Sequence, residues 1–219
     1  MMCGEDYECD CISLPILGAP APDFEAETTQ GPITLSDLQG KWVILFSHPA
    51  DFTPVCTTEF VALAKANDEF KALNTQLLGL SIDSVHSHIA WVRNIKEKMG
   101  VDIPFPVIAD LDMAVATLYG MVHPSQSSTA TVRTVFFIDD KGIVRAMLYY
   151  PLSNGRSVPE LIRLLKALQT TDQEGVATPA NWQPGDDVVV PGPKTVAEAE
   201  KRMTEGYECK DFYLCFKKI

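Results

Sequence analysis

The chain has 219 residues, of which 46% are hydrophobic and 21% charged, and its formal net charge is -11. That length holds one generous domain, or a domain with a small appendage. The acidic balance argues against nucleic acid, whose phosphates need clustered Lys and Arg, and against an anionic membrane surface. The most apolar runs, such as Trp42–Phe46 and Val132–Ile138, fall far short of the roughly 20 residues of a membrane span. The N-terminal stretch MMCGEDYECDC has no charged-then-apolar signal pattern. The cytoplasm, where thiols stay mostly reduced, is the expected compartment.

In chain order, KWVILF is a continuously apolar run of strand formers, as expected of a strand buried on both faces. From Cys56 to Leu73 the pattern turns helical, with Phe60, Leu63, Ala64, Phe70 and Leu73 recurring at three- and four-residue steps. QLLGLSID reads as a second buried strand and HSHIAWVRNIKEKMG as a second amphipathic helix. IPFPVIAD is a third extended segment, bounded by Pro104 and Pro106. TVRTVFFIDD and GIVRAMLYY flank Asp140, Lys141 and Gly142 and read as a hairpin. Ser157 and Glu160 have capping-box spacing ahead of LIRLLKALQ, a third long helix. Strand-helix-strand followed by a hairpin and a helix points to a mixed α/β sheet with flanking helices, the order of a thioredoxin-like domain.

After Gln169 the stretch TTDQEGVATPANWQPGDDVVVPGP is dense in Pro, Gly and Asp, with a short apolar run at Val188–Val190. A boundary is expected near residue 170, dividing a domain over 1–170 from a small C-terminal one over 171–219. In the latter, Thr195 and Glu198 cap a short helix through Met203.

Six cysteines are present: Cys3, Cys9 and Cys11 at one end, Cys209 and Cys215 at the other, and Cys56 alone in the body. The chain is too long and core-rich for a disulfide scaffold. Cys56 falls where the first helix begins, so it meets unpaired backbone N–H groups and the positive end of the helix dipole. Both favour the thiolate, the reactive form of the residue. Pro54 fits a helix start, and Thr53 offers a hydroxyl nearby. Thr57, Thr58 and Glu59 follow Cys56, so there is no Cys-x-x-Cys and no local zinc-ligand spacing.

Pro49-x-x-x-Thr53-x-x-Cys56 resembles the active-site motif of peroxiredoxins. FSHPADFTPVCTTE is similar to its version in the one-cysteine branch with long C-terminal domains. The resemblance extends through LSIDSVHSHIAW, PFPVIAD, TVRTVFFIDDKG, YYPLSNGRS and VATPANWQPGDDVVV. It implies a peroxidase that reduces hydrogen peroxide and organic hydroperoxides through a Cys56 sulfenic acid, with no metal or organic cofactor. By the same resemblance, Thr53 hydrogen-bonds the peroxide oxygens, Pro49 shields the thiol from water and Arg133 sits over the thiolate. His48 stands beside the pocket, while Glu59 and Arg156 orient Arg133. Peroxiredoxins commonly assemble into dimers and rings of dimers, and a homo-oligomer is expected.

The tail departs from the one-cysteine pattern. Cys209-Lys-Asp-Phe-Tyr-Leu-Cys215 resembles archaeal-type members of the branch, in which a tail cysteine forms a disulfide with the peroxidatic one. That favours Cys215 as the resolving residue and Cys209 as its partner or relay, with a thioredoxin-like protein or a small thiol as external reductant. The tail aromatics Tyr207, Phe212, Tyr213 and Phe216 either dock the tail on a neighbouring subunit or cover apolar surface. Cys3, Cys9 and Cys11 leave three readings open: a disulfide relay, a soft-metal site, or an inert end. Lys41 stands where some branch members carry a phospholipase serine, so that activity is not inferred. A peroxide sensor or redox-regulated chaperone would use the same Cys56, and turnover with a reductant separates it from an enzyme.

Overall fold

The computed structural model describes residues 14–219, so Cys3, Cys9 and Cys11 lie outside the described residues. The chain falls into two units, one ending at Arg156 and one running from Ser157 to Ile219.

In the first unit, two short strands, β1 (Glu25–Ala26) and β2 (Ile33–Thr34), pair antiparallel. They precede β3 (Trp42–Ser47), α1 (Pro54–Ala72), β4 (Thr75–Ser81), α2 (Val85–Met99) and β5 (Val107–Ala109). A short helix, α3 (Ala114–Leu118), then leads to β6 (Arg133–Ile138) and β7 (Val144–Tyr150). The sheet order is β5-β4-β3-β6-β7. The first three strands are mutually parallel, joined through α1 and α2, because parallel neighbours need a crossover. β6 and β7 join antiparallel, making the sheet mixed. The expected hairpin forms, with Gly142 supplying the positive φ of 78° at its turn.

Every residue of β3 is buried, as its apolar run requires. Side chains alternate between the two faces of a strand, and the two faces of β3 meet different layers. Val43 and Leu45 join a cluster with Phe24, Tyr119, Phe136 and Ile138. Phe46, on the opposite face, packs its ring 5.6 Å from Phe60 of α1 and 5.7 Å from Phe105. Gly79 of β4 permits this: a Cβ there would sit 3.3 Å from both the Phe46 and Phe60 rings. Phe46 pairs with Val135 across β3 and β6, so Arg133, two residues from Val135, projects to the α1 face.

In the second unit, α4 (Val158–Glu174) ends at Gly175, which adopts the left-handed conformation usual after a helix. Ala167, Val176, Trp182 and Val188 form a small core. β8 (Val188–Val189), α5 (Val196–Arg202), β9 (Glu208–Asp211) and β10 (Leu214–Lys217) follow, and the strands align as β8-β10-β9. Thr195 and Glu198 form the expected capping box at α5.

TTDQE, expected to open a linker, instead continues α4 until Gly175 stops it. Ser157 is the N-cap of α4 but makes no side-chain cap bond. Glu160 instead binds Arg163 through contacts of 2.6 and 2.8 Å. No described helix is long and apolar enough to cross a membrane.

Candidate active site

The polypeptide leaves β3 at Ser47 and enters α1 at Pro54, with Thr53 in extended conformation as the N-cap. Proline fits the first helical position, where its missing N–H has no intrahelical use. Cys56 therefore lies in the first turn of α1, and it is a free thiol with 0% exposure. Thr53 Oγ1 donates to the Ala50 carbonyl at 2.8 Å, which leaves its lone pairs as acceptors. Pro49 is half-buried in the same loop.

Arg133 reaches Cys56 from the first strand position of β6: its Nη1 is 3.3 Å from Cys56 Sγ. The same nitrogen donates to Glu59 Oε2 at 2.7 Å, while Nε and Nη2 both donate to the Leu152 carbonyl at 3.0 and 2.8 Å. These contacts engage four of the five guanidinium N–H groups and leave an Nη2 hydrogen.

Glu59 lies one helical turn beyond Cys56, so its carboxylate rises on the same side of α1. Arg156 grips it with three hydrogen bonds, from its backbone N–H at 2.7 Å and from Nε and Nη2 at 2.8 Å each. Arg156 Nη1 also donates to the carbonyls of Ser47 and Thr134, both at 2.8 Å. Burial alone would raise the Glu59 pKa; the Arg156 hydrogen bonds and the two guanidinium charges outweigh it and hold the carboxyl below its ordinary range. All three side chains are buried, and an ion cluster this dry is held together by its mutual bonds. Glu59 thus bridges Arg133 and Arg156.

His48 is fully buried, stacked on Trp91 with ring centroids 5.1 Å apart and edge-on to Phe60 at 4.7 Å. Its Nε2 is 3.0 Å from Asp51 Oδ1, and its Nδ1 is buried without a hydrogen-bond partner. Burial lowers the His48 pKa more than Asp51 raises it, which favours the neutral ring with its proton on Nε2.

Asp51 and His88 are functional candidates that the sequence reading did not single out. Asp51 accepts from His48 and from His88 Nδ1 at 2.9 Å, while His88 Nε2 lies 3.0 Å from the Ile108 carbonyl. Both ring nitrogens of His88 thus face oxygen atoms. Burial would raise the Asp51 pKa, but its histidine partners win and hold the carboxyl well below the usual carboxylate range. A signal for His88 exists: it shares the spacing of Trp91 and Ile95 on the buried face of α2. The donor atoms of His48, Asp51 and His88 lie within 4.8 Å of one another, close enough to hold a metal ion. Their hydrogen bonds already account for Asp51 and His88.

In the second unit, Cys209 and Cys215 are joined in a disulfide across β9 and β10, where they are register partners. Neither tail sulfur is free in this state.

A thioredoxin-like sheet, with a thiol on the first turn of its active-site helix and an arginine over the sulfur, defines a thiol peroxidase. The comparisons agree. The AhpC/TSA family matches residues 17–147, and the C-terminal domain of 1-Cys peroxiredoxin matches residues 167–206. A peroxiredoxin of Aquifex aeolicus is 61% identical over 96% of this chain and all of its own. One of Methanosarcina mazei is 53% identical over 94% of this chain and 98% of its own. Among solved structures, a yeast mitochondrial 1-Cys peroxiredoxin studied for thiol resolution via glutathione/thioredoxin systems superposes with a TM-score of 0.85. It shares 44% identity and covers 94% of this chain and 100% of its own. Peroxiredoxin 6 of Arenicola marina gives 0.84 at 37% identity, covering 93% of this chain and 97% of its own. The chain belongs to the peroxiredoxin family, with the C-terminal domain of its 1-Cys branch, and is a thiol-dependent peroxidase.

Proposed function

We propose that Cys56 is the peroxidatic residue of this peroxidase and that Arg133 is its main electrostatic partner. The observation that carries the reading is the 3.3 Å approach of Arg133 Nη1 to Cys56 Sγ at a helix N-terminus. The thiolate attacks one peroxide oxygen, the O–O bond breaks, and the departing oxygen takes a proton to leave as water or an alcohol. Cys56 is left as a sulfenic acid. The remaining Nη2 hydrogen of Arg133 serves the oxygen on which negative charge develops. Thr53 Oγ1, whose own hydrogen is committed to Ala50, accepts the peroxide O–H. Pro49 keeps water from the sulfur, His48 forms an apolar-packed wall beside it, and Glu59 and Arg156 fix the Arg133 plane.

In this reading Cys215 resolves the sulfenic acid once the tail disulfide has been opened, and Cys209 is its partner. A thioredoxin-like protein or a small thiol supplies electrons, as glutathione/thioredoxin systems do in the yeast structural relative. The family resemblance and the exposed tail aromatics Phe212 and Tyr213 support a cytoplasmic homodimer that assembles into rings.

The test is peroxide consumption driven by dithiothreitol or thioredoxin, with the Cys56→Ser variant alongside. Complete loss of turnover in that variant is expected. Retained turnover would remove Cys56 from the reaction. Light scattering of the purified chain reads the assembly state.

A further inference from the structure

We propose that Cys209 Sγ is the point at which reducing electrons enter the protein: a thiolate of the external donor attacks this sulfur, and Cys215 is the thiol released. The inference rests on the peroxidase reading for its purpose, but its evidence lies in the tail sheet alone.

Thiol–disulfide exchange requires the incoming sulfur to approach in line with the bond it breaks, and the sulfur that is attacked is selected largely by access. The two sulfurs differ in access by their place in the sheet. Cys215 belongs to β10, the central strand of β8-β10-β9, and has 0% exposure. Cys209 belongs to β9, which has no further strand beside it among the described residues, and it is partly exposed. The register pairs Cys209 with Cys215, so the bridge runs from the edge strand to the central one. Cys209 can thus be approached from the free edge of the sheet, whereas Cys215 lies on the strand enclosed between β9 and β8. Attack on Cys209 is open and attack on Cys215 is obstructed.

The exchange balances. The donor thiolate bonds to Cys209 Sγ, the Cys209–Cys215 bond breaks, and Cys215 departs with the electron pair. A proton then reaches Cys215, whose Sγ has the Asp211 carbonyl 3.4 Å away and the Phe212 carbonyl 3.9 Å away as acceptors. A second donor thiol attacks the donor sulfur of the mixed disulfide and releases Cys209 as a thiol. The donor is oxidised to a disulfide and the tail gains two electrons. The pair is thereby ordered: Cys209 faces the donor, and Cys215 is the thiol freed for the sulfenic acid.

The test uses the full chain carrying Cys56→Ser, oxidised with diamide and then exposed briefly to limiting glutathione without peroxide. After acid quenching and alkylation, tryptic cleavage at Lys210 places Cys209 and Cys215 in separate peptides. Glutathione on Cys209 with alkylated Cys215, in about ten-fold excess over the reverse pattern, is the expected result. Adducts on Cys215, an even distribution, or failure of the tail disulfide to form would overturn the proposal. A second arm replaces glutathione with a thioredoxin whose second cysteine is serine. A trapped Cys209 adduct there, with or without the glutathione adduct, supports the proposal and separates a protein donor from a small thiol. Since neither Cys56 nor peroxide is present, the outcome does not depend on whether Cys56 is peroxidatic.

Discussion

The two sulfur sites of this chain are built on opposite plans. Around Cys56 the partners arrive from far along the sequence: Arg133 from β6, Arg156 from the segment after β7, and Glu59 from α1, all buried and mutually bonded. Around Cys209 and Cys215 the bonds come from nearer in the sequence, from the β9–β10 hairpin and from the segment at β8, where the Val190 N–H donates to the Cys215 carbonyl at 2.9 Å, and much of the surface is open. The difference teaches what each region is arranged to do. A reactive sulfur that must meet only a small peroxide gains from long-range, desolvated, fixed donors. A sulfur pair that must meet a second thiol gains from an open strand edge.

The largest expected effect tests the long-range plan. Arg133→Met should lower kcat/KM for hydrogen peroxide by a factor on the order of 10²–10³, the usual loss when a preorganised donor is removed. Stopped-flow oxidation of the reduced protein reads it, and a loss below ten-fold would show that the charge over Cys56 is dispensable.

Glu59→Gln comes next. It leaves two buried guanidinium groups facing a neutral amide, and removing one partner of a buried ion pair costs about 3–5 kcal/mol. Denaturant unfolding should show a loss of this size, together with slower oxidation of Cys56. A loss below 1 kcal/mol would mean that the cluster is not tightly coupled.

Acid provides a graded test of the neighbouring His48–Asp51–His88 group. His48 has a folded pKa lowered by burial, so the unfolded chain binds its proton first. Its contribution to stability is lost as pH falls below about 6.5. Asp51 is also lowered, and its contribution fades as pH drops below about 4. The melting temperature should therefore fall steadily from pH 7 toward about pH 3, and Asp51→Asn should flatten the part of that slope below about pH 4. An unchanged slope in the variant would remove Asp51 from the account.

The smallest effect tests the local plan. Thr195→Ala removes one half of the capping box at α5 and should cost about 1 kcal/mol. That loss should appear in hydrogen exchange of the second unit while the amides of β3 and β4 stay as protected as before. Loosening of β3 as well would contradict the division into a long-range and a local region.

The long-range region was nonetheless the more legible in the sequence. β3 and β4 announce themselves as apolar runs. α1 shows its three- and four-residue steps, and Pro54 marks its start, so the position of Cys56 follows from local pattern alone. Arg133, Glu59 and Arg156 were reached through resemblance, since no local signal joins residues 74 to 97 positions apart. The link from Asp51 to His88 spans 37 positions and was missed for the same reason. In the tail, the polar TTDQE run hid the last turn of α4, because composition there imitates a linker until Gly175 ends the helix. The β9-β10 hairpin escaped because Glu208, Lys210 and Asp211 are all exposed, so β9 lacks the alternation that marks a half-buried strand.

Glu59 has a last consequence that concerns counting charge. One carboxylate is shared by two guanidinium groups, so the buried cluster keeps a single uncompensated positive charge. With Cys56 as an anion, the four groups together are neutral. Once Cys56 has become an uncharged sulfenic acid, the positive charge reappears beneath the surface. On the proposed role of Cys56, each turnover switches the electrostatic character of the pocket: neutral while it awaits a neutral peroxide, and attractive to an anionic thiolate as soon as the peroxide has been spent.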